Sequence, residues 1–391
     1  MRSTLLTLLA AAVALTVAPF AAAATHATTV RDVSVCRHAG TAKARCFAIR
    51  VDQVRHGRVR HAAAPAGYGP GDLRAAYALP STSAGDDATV AIVDAYDDPR
   101  AEADLAVYRA QFNLPPCTAT NGCFTKVDQR GGTDLPDVDP GWSEEISLDL
   151  DMASAVCPNC RLLLVEADSA SMAALGTAVR TAVSLGANAV SNSWGGPDMK
   201  DQYYGRYFHH PGVAITASAG DDGYGTSYPA SSKWVTAVGG TTLRRSSARR
   251  GFSESAWPGS GSGCSAYNTA PWQDSATTGC AGRAVADVSA VADPATGVAV
   301  FDSLAFQDAS GWLTFGGTSA SSPIIATVFA LAGNTADVRD GSYVWTHRTS
   351  SNLNDIHDGS NGSCDVSQQC TARNGWDGPT GFGSPDGTAA F

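Results

Sequence analysis

The sequence predicts an α/β fold organised around a mostly parallel sheet. Two observations lead there. Short apolar runs of strand length alternate with segments of helical period, the order that builds parallel sheets through crossover connections. Several of the runs are apolar almost throughout, as happens when both faces of a sheet are covered. Thr89 to Ala95 is the first such strand, Pro99 to Phe112 has a helical pattern, and Arg161 to Ala167 is the next strand. Met172 to Leu185 reads as an Ala-rich helix, and Ala187 to Trp194, Gly212 to Ser218 and Trp234 to Thr241 as further strands. No repeat or low-complexity linker interrupts this span, so one domain is expected from about residue 67 to the end.

The stretch Trp142 to Cys160 carries the most chemistry. It reads as a helix from Ser143 to Val156 with Ser143 as N-cap. At about 100° per residue, Glu145 and Asp149 lie about 40° apart, one turn from each other. Leu148, Met152, Val156, Ala153, Ile146 and Leu150 flank them, while Glu144, Ser147, Asp151 and Ser154 form an opposite, polar face. Two carboxyls therefore sit inside the apolar arc that normally packs on a core. Unpaired acids there cost several kcal/mol, on the order of other buried polar groups, unless paired or protonated.

Composition sets the wider frame. The chain has 391 residues, a formal net charge of −10 and only 16% charged residues. The acidic balance and scarce Lys argue against a nucleic-acid partner. Arg2, the apolar run Leu5 to Val17 and the small residues Ala21 to Ala24 form a secretory signal peptide over 1–24, too short and Ala-rich for a membrane anchor. Residues 25–66 form a basic segment, read as a short pro-segment or a loose N-terminal extension. The ten cysteines fall in close sequential pairs, 36 with 46, 117 with 123, 157 with 160, 264 with 280 and 364 with 370. In an oxidising compartment these read as disulfides, since the one CxxC has no second half to complete a zinc set.

Ligand-binding loops in open parallel sheets gather at the carboxyl ends of strands. Ser193-Trp194-Gly195-Gly196, Ser218 to Gly223 and the loop before Ser319 fall there. The last of these, Gly316-Gly317-Thr318-Ser319-Ala320-Ser321-Ser322-Pro323, leads into the apolar helix Ile324 to Ala332. A serine at a helix start has small neighbours and a field that favours developing negative charge.

GTSASSP resembles the nucleophile motif of the subtilisin clan. None of the histidines lies in a matching helix motif, and the helix bearing Glu145-Ile146-Ser147-Leu148-Asp149 stands in that place. The combination resembles the sedolisin family of serine-carboxyl peptidases, a likeness that also takes in SNSWGG, SAGDDG, YPASSKWVTAVGGTTL and GWDGPTGFGSPDG over roughly residues 86 to 391. It implies a subtilisin-like three-layer fold, peptide or protein substrates and a secreted monomer with no membrane contact after signal cleavage. Ser319 would be the nucleophile, Glu145 its general base and later acid, Asp149 the group that hydrogen-bonds Glu145, and Asp221 the oxyanion donor. Asp222 is read as a turn residue and Asp94 as structural. Ser193 to Gly196 would bind substrate as an added strand.

The same resemblance implies one structural calcium ion held by Asp355, Ile356, Arg373, Gly375 and Asp377, with Arg373 standing where the family usually has Gly. The alternative is a secreted, peptidase-like protein that binds peptides without cutting them. An esterase is disfavoured because no GxSxG elbow precedes a helix. Subsite preference and endo- against tripeptidyl exopeptidase action stay open.

Overall fold

The structure is a computed structural model that describes residues 28–36, 43–55, 58–80 and 84–391. The signal-peptide reading lies outside the described residues. The N-terminal segment supplies β1 (Thr29–Ser34), β2 (Arg45–Cys46) and β3 (Ile49–Arg55). Then come β4 (Thr89–Ala95), α1 (Ala101–Gln111), β5 (Phe124–Asp128), α2 (Pro140–Val156), β6 (Arg161–Ala167) and α3 (Met172–Ser184). The run Ala187 to Trp194 divides into β7 (Ala189–Asn192) and β8 (Trp194–Pro197), followed by β9 (Ala214–Ser218), β10 (Thr236–Arg245), β11 (Phe252–Ala256) and β12 (Val288–Val291). A hairpin of β13 (Val298–Phe306) and β14 (Ala309–Gly316) runs into α4 (Thr318–Ala332).

The central sheet has eight strands in the order β11-β10-β9-β7-β4-β6-β5, with β12 also on β10. Every pairing in it is parallel except β10 with the edge strand β11. The continuous apolar runs explain this: Val90 to Val93 and Leu162 to Val165 are buried on both sides of the sheet. Helix α2 packs against both α1 and α4, and α3 packs on β4 and β6. All five sequential cysteine pairs are disulfides. Among the described residues no helix is long and apolar enough to cross a membrane.

Two expectations are corrected. Helix α2 starts at Pro140, not Ser143, because Asp139 accepts hydrogen bonds from the amides of Gly141 and Trp142 and Pro140 is preset for the first turn. Its expected polar face is not in solvent, since Glu144, Asp151 and Ser154 are as buried as Leu148. The polar groups find partners in neighbouring elements instead. Ser143 and Ser147 donate to Asp302 at 3.2 Å, Asp151 accepts from the Phe301 amide at 3.0 Å, and Ser154 accepts from Arg109 at 2.9 Å.

The described residues of the N-terminal segment are paired into the fold. β1 pairs with β3 from Thr29↔Val54 to Ser34↔Ile49, and β3 pairs with β14 at Ile49 and Arg50. Arg50 is fully buried, hydrogen-bonded to Glu144 of α2, to Asp52 at 2.7 Å and to the Phe306 carbonyl at 3.2 Å. Burial pulls the Arg50 guanidinium down, but the Asp52 hydrogen bond and the charges of Glu144 and Asp52 more than restore it. Burial also raises Asp52, yet hydrogen bonds from Arg50 and Arg31 leave it below the usual range. Burial outweighs Arg50 at Glu144, which is pushed up to about 8. Arg50 thus shares its charge mainly with Asp52, and Glu144 can hold a proton.

Removing one partner of a buried ion pair strands the other. Arg50→Leu is therefore expected to lower unfolding stability by roughly 3–5 kcal/mol near neutral pH, measured by denaturant titration. A change near zero would mean that β3 contributes nothing to the fold.

Candidate active site

The strand ends and helix starts of the sheet converge on Ser319. Gly317 caps α4 at φ 94°, a conformation that favours glycine, and a Cβ there would collide with the Phe47 carbonyl oxygen and crowd Asp221 Oδ2. Ser319 is the second residue of the helix. Its turn is fixed by Ser218 Oγ donating to the Thr318 carbonyl at 2.8 Å and by the Gly220 amide donating to Thr318 Oγ1 at 3.2 Å. Deeper along α4, Ser322 Oγ lies 2.9 Å from both Ser191 Oγ and Thr216 Oγ1, which fastens the helix to β7 and β9.

Glu145 and Asp149 point from α2 into the same interior and are wholly buried. Oxygens of Asp94, Glu145 and Asp149 lie within 4.8 Å of one another. Asp94 comes from the end of β4, so the residue read as structural stands in the cluster. Both oxygens of Asp94 and Oδ1 of Asp149 have no hydrogen-bond partner among the described residues, and Glu145 has only the Ser319 hydroxyl within reach. The expected Asp149–Glu145 hydrogen bond would need a proton on one of the two acids. Asp149 Oδ2 instead accepts from Ser193 Oγ at 2.7 Å. Ionised carboxylates are acceptors only, so any bond between the acids needs a proton shared between them.

Electrostatics says the same. Burial first, then the charges of Asp149 and Asp94, push Glu145 well above the usual carboxyl range, with the Ser319 hydroxyl opposing. Burial and then Asp94 raise Asp149, against the Ser193 hydroxyl, and burial raises Asp94 to about 8. Three acids this close cannot all ionise, and they titrate as a unit.

Asp221 stands after β9 on the other side of Ser319. Its Oδ1 accepts from the Thr318 amide and hydroxyl, each at 2.8 Å, while Oδ2 has no partner. Burial pushes the group up to about 7 against those two hydrogen bonds. The free Oδ2 is the oxygen able to carry a proton. Asp222, by contrast, is exposed and ion-paired with Arg45. Of the described histidines, His61 bonds to the Ser310 carbonyl, His210 to that of Tyr207 and His347 to that of Tyr343, while His209 stacks on Trp234 and His357 lies 3.8 Å from Asp355.

Ser193, Asp94, Thr318 and Phe47 complete the site. Ser193 joins its parts: its hydroxyl holds Asp149, and its carbonyl accepts from Ser319 Oγ at 3.0 Å. An acid closing an apolar strand was the available signal for Asp94. Phe47, whose amide donates to Ser319 Oγ at 3.0 Å, carried no sequence signal.

At the C-terminal end, Asp355, Ile356, Arg373, Gly375 and Asp377 also come together. Asp377 is fully buried, accepting from the Arg373 amide at 3.0 Å and from Thr380 N at 2.9 Å. Asp355 Oδ2 accepts from the Gly375 amide at 2.9 Å. Burial raises Asp377 to about 7, and the nearby charge of Asp355 adds to it. The carbonyls of Ile356, Arg373 and Gly375 accept no hydrogen bond among the described residues. An all-oxygen set with free carbonyls and two facing carboxyls fits a hard divalent cation.

Comparison with known proteins agrees with this architecture. Residues 140–355 match the Subtilase family. The chain belongs to the subtilase family. Its relatives lie in the sedolisin branch. It is 33% identical to kumamolisin of Bacillus sp. (strain MN-32) over 369 residues, covering 83% of this chain and 63% of that protein. It is 32% identical to sedolisin of Pseudomonas sp. (strain 101), covering 45% of this chain and 34% of that one. The chain thus spans less than two thirds of either relative. The solved structure of Pseudomonas sedolisin, a serine-carboxyl proteinase complexed with pseudo-iodotyrostatin, superposes with a TM-score of 0.68 at 26% identity, over 83% of this chain and 96% of that one.

The raised acids make stability depend on pH. Glu144, Glu166, Asp94 and Asp302 are each pushed up to about 8, chiefly by burial. Below the ordinary carboxyl range these groups are protonated in both states and cost nothing. As pH rises from about 4 towards about 8, the unfolded chain releases protons that the folded one keeps, so stability falls. The melting temperature should drop by roughly 5 °C or more between those limits, read by calorimetry. A rise over the same range would contradict the burial of these acids.

Proposed function

We propose that this protein is a secreted serine-carboxyl peptidase that hydrolyses peptide bonds in acid solution. One observation carries the reading: Ser319 stands beside a cluster of buried carboxyls, near enough for its hydroxyl to oppose the rise of Glu145. An extended substrate would pair with β8 on the side that β2 now holds, as the Ser193–Gly196 stretch invites. Ser319 Oγ attacks the carbonyl carbon and Glu145 takes its proton. Asp149, held by Ser193, and Asp94 hold the proton inventory that lets Glu145 alternate between base and acid. Asp221 donates from Oδ2 to the oxyanion. Glu145 then protonates the departing amine, and water releases the acyl group by the same steps.

The five disulfides and the kinship to sedolisins support secretion. When bound, calcium would supply rigidity to the C-terminal loops through Asp355, Asp377 and the carbonyls of Ile356, Arg373 and Gly375. A monomer acting on peptides or unfolded proteins is the simplest form.

Ser319→Ala should reduce cleavage of a denatured protein by roughly 10⁴-fold or more, and Glu145→Gln by about 10²–10⁴-fold. Folded, disulfide-bonded wild type that is inert at every pH would leave a binding protein as the function.

Asp221 must keep its proton to donate, so kcat/KM should fall as pH rises past about 7. Asp221→Ala should lose about 10²–10³-fold in rate. Asp221→Asn keeps a donor that does not titrate, so its alkaline limb should move upward. An optimum above neutrality in wild type would remove Asp221 from this role.

A chelator should lower the melting temperature, with recovery on adding calcium, measured by thermal denaturation. An unchanged melting curve would exclude the site.

A further inference from the structure

The far side of helix α2 meets a second group of buried acids, which the proposed chemistry does not use. Ser143 and Ser147 stand about 200° around the helix from Glu145. Both hydroxyls donate to Asp302 Oδ2 at 3.2 Å, while Asp302 Oδ1 has no bonded partner among the described residues. Asp98, in the turn after β4, gives Oδ1 to the Arg100 amide at 2.8 Å. Its Oδ2 is likewise unbonded, and the Ser143 hydroxyl is within reach of its carboxyl. Asp98 and Asp302 are both fully buried.

Counting hydrogens decides the charge of this chain of groups. A serine hydroxyl has one hydrogen to give, and an ionised carboxylate has none. With Ser143 donating to Asp302, its oxygen can bond Asp98 only if Asp98 carries a proton. With the direction reversed, Asp302 must carry it. Either way one proton completes Asp98–Ser143–Asp302, and without it two carboxylates face one hydroxyl in the interior. Burial pushes Asp98 up to about 6 against the Arg100 amide and the Ser143 hydroxyl, with Asp104 adding to the rise and Lys126 opposing it. Burial, then Asp98 and Asp104, push Asp302 up to about 8 against the Ser147 hydroxyl and the Leu304 amide.

The neighbouring cations are engaged elsewhere. Lys126 of β5 donates to Asp97 and to the Asp98 carbonyl, and pairs with Glu166 at 3.1 Å. Arg50 of β3 serves Asp52 and Glu144, and Arg109 of α1 serves Ser154 and the carbonyls of Pro115 and Pro158. Arg100, before α1, eases Asp104. The other groups facing Asp302 are acids: Asp104 of α1, and Glu144 and Asp151 of α2. Two of them grip the strand on either side of it, Asp104 through the Ser303 amide at 2.7 Å and Asp151 through the Phe301 amide at 3.0 Å.

This chain of groups joins the carriers of the candidate site. Asp98 follows the strand that brings Asp94, the two serines flank Glu145 in sequence, and Asp302 lies on the hairpin that runs into α4 and Ser319. We propose that Asp98, Ser143, Ser147 and Asp302 form a proton-held latch that positions Glu145 against Ser319, with Asp302 at its centre. The proposal rests on the peptidase reading above and adds positioning residues to it. The four act through where α2 and α4 stand, not on the reacting atoms. With the proton in place, the β4 exit, α2 and the hairpin are bonded into one unit. The folded chain keeps that proton in acid solution and gives it up as pH rises, so the latch is closed at low pH. Once it is lost, Asp98 and Asp302 repel across Ser143, and the hairpin parts from α2.

Hydrogen exchange tests the latch, and peptide cleavage tests its use. Exchange is followed by mass spectrometry in the full chain carrying Ser319→Ala, at about pH 5 and about pH 9, corrected for intrinsic rates. Protection of residues 140–156 and 298–316 should fall by about tenfold or more at the higher pH, while β4 and β6 keep theirs. Adding Asp302→Asn, whose amide oxygen accepts from both serines and does not titrate, should preserve that protection. In the active chain at about pH 5, Asp302→Ala should lower kcat by about 10–100-fold with KM nearly unmoved, and Asp302→Asn should restore most of it. Protection that ignores pH, or that falls equally with Asp302→Asn, would overturn the latch. So would a loss spread evenly over β4 and β6, which is global unfolding. An unchanged kcat in Asp302→Ala would overturn the positioning role. Wild type inert at every pH, with exchange as expected, would end the peptidase reading and leave the latch as a structural contact.

Discussion

The structure depends on one constraint: three carboxyl groups meet in the interior, and no Lys or Arg among the described residues forms an ion pair with them. Asp94, Glu145 and Asp149 cannot be solvated, and they cannot all be charged. The protein accommodates them by keeping protons on them and by holding their carriers rigidly. β4 supplies Asp94 from a strand paired on both edges, and Trp194 Nε1, donating to the Val93 carbonyl at 2.7 Å, ties β8 to that strand's end. Helix α2 supplies the other two from a surface buried all round. A mobile helix would let water in and let the acids ionise.

The same helix faces two ways at adjacent residues. Glu144 turns to Arg50 and the N-terminal strands, while Glu145 turns to the Asp94 side and Ser319. One turn of backbone therefore couples the N-terminal segment to the base without any contact between Arg50 and Ser319. Asp302, receiving Ser143 and Ser147, pins that turn from β13. The hairpin β13–β14 then runs directly into the nucleophile helix. The two halves of the site are joined through covalent chain and buried polar contacts, not through a flexible loop.

The central sheet was legible because its strands obey a simple rule. Val90 to Val93 and Leu162 to Val165 are apolar throughout, and the structure has the strands Thr89–Ala95 and Arg161–Ala167 with the expected bounds. The adjacency of Glu145 and Asp149 followed from helical geometry alone, and the motif around Ser319 pointed to the same place. The start of α2 was missed because Asp139-Pro140 is a stronger helix opening than Ser143. The buried polar face was missed because periodicity separates polar from apolar but cannot see that β13 and α1 cover the polar side. The role of residues 43–55 lay beyond sequence reasoning for a similar reason. A two-residue strand such as β2 has no periodicity, and its partner lies about 150 residues away.

An acid site built this way sets its own working range. Groups raised by burial are cheapest to keep when solution protons are plentiful, and that is also when Asp221 can donate from Oδ2 and the acid cluster can hold a shared proton. The conditions that relieve the interior are the ones in which the proposed chemistry would run. A histidine base would reverse this, because it loses its function in acid while the buried acids gain stability there. Under the proposed peptidase reading, a carboxyl cluster in place of imidazole would align fold stability and reactivity on a single proton supply, with the acids on the helix serving both.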